Sequence, residues 1–126
     1  MKKISKTFHV RKEALKLLYY LKADFMINND EENDFWNQLF EHGCRKLEDL
    51  DKQGKTIALA RIDHKRIATG AFVDNDLYNK LISIGKKNNL KKYEIIELVI
   101  YFYAMEYLNS REKEFFELEK WGIVIF

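Results

Sequence analysis

The chain has 126 residues, 47% of them hydrophobic, and a net charge of +2, which is enough for one domain with a real core and excludes a disordered tail. The absence of proline and the presence of only five glycines favour long helices. One cysteine, Cys44, excludes an internal disulfide and a cysteine-rich zinc site; no apolar run can cross a bilayer and none follows the basic start, so a cytoplasmic location without membrane contact is expected.

Residues 4–10 alternate. Ile4, Lys6, Phe8 and Val10 share one face, and Ser5, Thr7 and His9 share the other, which predicts a short strand. Residues 11 to about 27 then predict a helix with an apolar stripe of Ala14, Leu15, Leu17, Leu18, Leu21 and Phe25. Asn28, Asn29 and Asp30 break it, and Asp30 or Asn33 is the expected N-cap of a second helix. That helix runs to about Leu50, with Phe35, Trp36, Leu39, Phe40, Cys44 and Leu47 inward. Residues 51–66 read as a connector, in which residues 57–62 can pack as a short helix or an extended segment. A hairpin turning at residues 63–66 is the less favoured form, since no Asn-Gly or Asp-Gly turn is present.

Residues 67–73 predict a second strand, and Asp74 the N-cap of the helix that follows to about Asn88. Lys91 or Lys92 opens a last long helix that is apolar nearly all round, as a central, buried helix is. Residues 109–126 form a charged, aromatic tail ending in Trp121, Gly122, Ile123, Val124, Ile125 and Phe126.

Charge is unevenly laid out. Residues 52–92 hold ten Lys/Arg against three Asp/Glu, while residues 93–126 hold three against seven. A basic middle is either a nucleic-acid footprint or a solvated lysine-rich surface.

The chain therefore states one pattern twice: residues 1–50 and residues 67–108 each read strand, helix, turn, helix. Superposing Val10 on Val73 brings Ala14 onto Leu77, Leu18 onto Leu81 and Leu21 onto Ile84. After a three-residue gap, Trp36 falls on Ile96, Leu39 on Val99 and Phe40 on Ile100. One such unit is too small to bury its own apolar face, but two can bury each other's. This pattern resembles the ribbon-helix-helix family of DNA-binding proteins, with both halves in a single chain. The resemblance implies a mainly α, pseudo-two-fold domain in which residues 4–10 pair with residues 67–73 as an antiparallel ribbon entering the major groove.

On that basis Thr7, His9 and Arg11 are the expected base contacts: hydrogen-bonding side chains at alternate positions of a strand can meet base edges. Lys6, Lys65, Arg66, Lys91 and Lys92 are the expected phosphate contacts. Lys91 and Lys92 stand where the resemblance implies that a helix N-terminus holds a phosphate. The matching place in the first repeat carries Asp30, Glu31, Glu32 and Asp34, which oppose phosphate. The second strand also departs from the pattern, with Gly70, Phe72 and Asp74 outward.

No glycine-rich phosphate loop or nucleophile elbow is present, and His9, His42 and His64 are scattered. The expectation is no enzyme, no cofactor and no metal. Double-stranded DNA is the expected partner, and the function a sequence-specific transcriptional repressor or a plasmid or phage regulator. The alternative is a helical protein-protein interaction module without DNA binding. The tail either folds back on the domain or offers an interface to a homodimer or another protein.

Overall fold

The computed structural model describes residues 3–28, 32–60 and 65–126, the side chains of residues 28 and 32–34 excepted. The expected N-cap at Asp30, the side chains of the acidic start of the second helix and the turn at residues 63–64 lie outside these described residues; Asn33, the alternative cap, falls within the second helix, which begins at Glu32.

The first pass comprises β1 (Lys3–Arg11), α1 (Lys12–Asn28) and α2 (Glu32–Lys52). A short β2 (Ile57–Leu59) follows, then β3 (Arg66–Asp74), α3 (Asn75–Lys87) and α4 (Lys92–Tyr107). The tail supplies α5 (Ser110–Phe115), one 3-10 turn at Leu118–Lys120, and β4 (Ile123–Ile125). The protein is mainly helical, and no described helix is long and apolar enough to cross a membrane.

β1 and β3 pair antiparallel, with Thr7 opposite Gly70, Ile4 opposite Val73 and Val10 opposite Ile67. The alternation read from the sequence sets the faces. Phe8, Val10, Ala71 and Val73 are buried, while Ser5, Thr7, His9, Ala68, Gly70 and Phe72 are exposed. Phe8 anchors the ribbon to the helices, with ring centroids 5.8 Å from Trp36 and 5.7 Å from Phe40.

Helix boundaries follow local chemistry. Asp74 Oδ1 accepts the N–H groups of Asp76 at 2.8 Å and Leu77 at 3.4 Å, the N-cap read from the sequence. Asn88 closes α3, donating its N–H to the backbone, and Asn89 adopts a φ of 58°, a left-handed conformation asparagine tolerates. Both strands are tied to a second helix in the same way. Arg11, which follows Val10, donates its N–H to Glu97 at 3.5 Å; Asp74, which follows Val73, donates its N–H to Asn37 Oδ1 at 2.9 Å. Asn37 follows Trp36 as Glu97 follows Ile96, so these contacts join positions that the sequence superposition matches.

Helix α4 is the central element, buried from Glu94 through Ile100, and it crosses α2 closely at Gly43. A Cβ at Gly43 lands 2.3 Å from Val99 Cγ1 and 2.7 Å from Val99 Cβ. A Cβ at Gly85 meets Ile95 at 3.4 Å, close to ordinary contact. Gly43→Ala is therefore expected to destabilise by about 1–2 kcal/mol, because overpacking outweighs the gain of about 1 kcal/mol in helix propensity. Gly85→Ala, which keeps that propensity gain against little crowding, is expected to be neutral or slightly stabilising. Thermal unfolding of the two variants measures the difference; a Gly43→Ala protein as stable as the parent contradicts the close crossing.

The connector differs from the local hairpin that was its less favoured reading. Residues 57–59 are extended, but β2 pairs with β4, Ile57 opposite Ile125 and Leu59 opposite Ile123. The tail thus folds back. Trp121 and Leu118 are buried, Asn109 caps α5 by accepting the Glu112 N–H at 2.8 Å, and the Tyr20 hydroxyl donates to the Glu112 carboxylate. Gly122, at a φ of 73°, turns the chain where a Cβ would lie 2.5 Å from that of Ala60.

Candidate nucleic-acid interface

The outer face of the β1–β3 ribbon is a narrow strip of small and polar groups. Thr7 faces Gly70 at its centre, His9 faces Ala68 towards one end, and Ser5 faces Phe72 towards the other. Nothing lies within 4 Å of a Cβ built on Gly70, so the centre of the strip is open to approach. A two-stranded β-ribbon is one of the two protein elements that fit the major groove of duplex DNA.

Thr7 and His9 stand on this face as the sequence predicted. Arg11 does not. It is only 9% exposed, at the point where β1 turns into α1. Its guanidinium carbon lies 4.5 Å from the Trp121 ring centroid, its Nη2 donates to the Trp121 carbonyl at 3.4 Å, and its Nε lies 3.7 Å from Glu97 Oε1. The alternation that put Arg11 outward fails at the strand end. There Glu97, buried on α4, draws in a cation, and Trp121 from the tail covers it.

The expected phosphate contacts divide. Lys65, Lys91 and Lys92 are exposed. Lys92 comes beside the ribbon, lining one shallow depression with Thr7, His9 and Tyr93. Lys6 lies on the inward-facing side of β1, with Nζ 4.8 Å from the Tyr78 ring; the Lys92 Nζ lies 5.6 Å from the same ring. Arg66 is half-buried, its guanidinium stacked 3.6 Å from the Tyr93 ring centroid. The start of α4 already carries an anion: the buried Glu94 carboxylate accepts the Lys91 N–H at 2.8 Å. Any added phosphate there meets the lysine side chains beside an occupied first turn.

Arg11 is buried while Lys91 and Lys92 are exposed, so Arg11 does not join them on the surface. Exposed lysines at the ribbon include Lys3 within β1, Lys65 just before β3 and Lys92 beside Thr7 and His9. Tyr93, the platform for Arg66, was not singled out in the sequence. Its signal was an aromatic residue directly after two lysines at a helix start.

Cys44 and His42 lie within the packing of the helices. Cys44 is buried, and burial pushes its thiol up to about 11. The His42 imidazole, held below its ordinary value by burial, packs against Tyr103 at 5.5 Å and Tyr107 at 5.7 Å. Among the described residues, no three His, Cys, Asp or Glu side chains are placed to share a metal ion. No family model, curated protein or solved structure matches this chain.

Proposed function

We propose that this chain binds double-stranded DNA by laying the β1–β3 ribbon in the major groove, as a single-chain, pseudo-two-fold ribbon-helix-helix protein. The observation that carries the reading is the register. The offset that brings Val10 onto Val73 also brings Thr7 onto Gly70, and those two residues face each other at the centre of the ribbon. A two-fold axis relating the repeats then passes between them.

Thr7, His9 and Ser5 supply hydrogen-bonding groups to base edges, and Lys65, Lys91 and Lys92 supply positive charge to the flanking phosphates. Such a protein acts by occupying an operator, which fits a repressor or a plasmid or phage regulator.

Gly70→Val separates this role from folding. The free protein has open space at Gly70, and a β-branched residue suits a strand, so stability is expected to hold. A branched side chain at the centre of the strip blocks close approach of the groove, so affinity for a pool of random-sequence duplexes is expected to fall at least tenfold. Fluorescence anisotropy at low salt reads that loss, and equal binding by Gly70→Val and parent overturns the proposal.

The second reading, a protein-interaction module, is favoured by apolar side chains left outside the core, notably Phe115 at 80% exposure and Phe126 at 66%. It predicts the same weak duplex affinity with and without the Gly70 substitution.

A further inference from the structure

The two ends of the ribbon are chemically unlike. In a symmetric ribbon the positions two residues beyond the centre, one on each strand, carry the same side chain. Here they are His9 on β1 and Phe72 on β3. Both are exposed on the outer face, Phe72 to 51%. Their cross-strand partners differ as well: small, apolar Ala68 stands opposite His9, and the hydroxyl of Ser5 stands opposite Phe72.

The surroundings extend the difference. The His9 end carries Lys92 in the same depression, with Arg66 and Lys65 at the start of β3. At the Phe72 end, the matching strand-end residue is Asp74, whose carboxylate caps α3. Lys3, exposed at the start of β1 and opposite Asp74, is the counterpart of Arg66 at the start of β3, so the contrast in charge lies in Lys92 at one end and Asp74 at the other.

We infer that the duplex this ribbon takes is non-palindromic, one half-site set by hydrogen bonds to His9 and the other by a thymine methyl group packed against Phe72. The inference rests on the DNA-binding reading above. Imidazole can donate or accept, so it selects a base by its hydrogen-bonding edge. A phenyl ring has no hydrogen-bonding atom, and the one apolar group on the major-groove edge of a base pair is the C5 methyl of thymine. Burying that methyl gives Phe72 a reason to be on the surface that packing within the domain does not supply, since its neighbours on β3, Ala71 and Val73, already fill the inner face.

The test is selection from a random duplex pool, followed by anisotropy titration of the selected duplex with each thymine replaced in turn by uracil. The expected motif lacks two-fold symmetry. One thymine-to-uracil change weakens binding about fourfold, the worth of one buried methyl group. Phe72→Ala abolishes that sensitivity and leaves the preferences of the other half-site in place, while His9→Ala does the reverse. A palindromic motif overturns the inference while leaving DNA binding intact, as does a duplex indifferent to uracil or a Phe72→Ala protein with unchanged uracil sensitivity. A protein that retains no duplex at low salt overturns both this inference and the function on which it rests.

Discussion

Replacing Phe8 by alanine is expected to cost about 3–5 kcal/mol, the range for truncating a fully buried aromatic side chain. Phe8 is 1% exposed and touches residues from both repeats: Trp36 and Phe40 of α2, and Tyr78 of α3 at 6.2 Å. It is the point at which the ribbon is fastened to the helical layer. Removing it leaves a cavity that Trp36 and Phe40 cannot close without leaving their own contacts, and β1 loses its largest inward group. Phe72 provides the control on the same ribbon. It is aromatic and also in a strand, but it faces out, so Phe72→Ala is expected to change stability by no more than about 0.5 kcal/mol. Denaturant unfolding measures both. Comparable losses for the two variants contradict the assignment of inner and outer faces.

The second large effect is expected at Arg11 and Glu97. Each is nearly buried and they face each other as an ion pair, with Trp121 closing the arrangement from the tail. Glu97→Ala removes both the acceptor of the Arg11 N–H and a counter-charge of the guanidinium, which stays buried against an aromatic ring. Breaking a buried pair from one side costs about 3–5 kcal/mol when its geometry is tight. The contacts here are long, at 3.5 and 3.7 Å, so a loss of about 2–3 kcal/mol is expected. Arg11→Ala should lose a similar amount. Replacing both, as Arg11→Met with Glu97→Leu, should recover much of the loss, because no charge is then left unpaired. Denaturant-derived stabilities of the single and double variants decide the matter; strictly additive losses contradict the pairing. An Arg11→Ala protein that keeps full stability and loses only salt-dependent duplex affinity would return Arg11 to the DNA-contacting set.

The sequence made β1, β3 and the four long helices legible because their signals are local. Alternation over residues 4–10 set the faces of β1, and an aspartate before an apolar periodic run set the start of α3 at Asp74. What it left unread is long-range. Ile57 and Leu59 are compatible with helix or strand until a partner is known, and that partner, Ile123–Ile125, is at the far end of the chain. Arg11 looked outward because alternation is a rule about regular strands, and the rule lapses where β1 passes into α1. A sign of the correction was present: Glu97 is a carboxylate on a helix apolar nearly all round, and such a group needs a cation brought to it. The capping role of Glu94 was equally local, three residues beyond Lys91. At the candidate site, Thr7 and His9 were readable from parity alone. The open centre at Gly70 and the pairing of Phe72 with Ser5 needed the register.

The proposed DNA-binding surface is the outer face of the ribbon. Amide chemical-shift mapping of the whole protein during titration with a duplex enriched from a random pool tests it most directly. The largest shifts are expected on Ser5, Thr7, His9, Ala68, Gly70 and Phe72, with smaller ones at Lys91 and Lys92. Affinity is expected to fall with salt at a slope of about 0.9 per phosphate neutralised. Shifts confined to the tail around Phe115 and Phe126, or no shifts at low salt, contradict it.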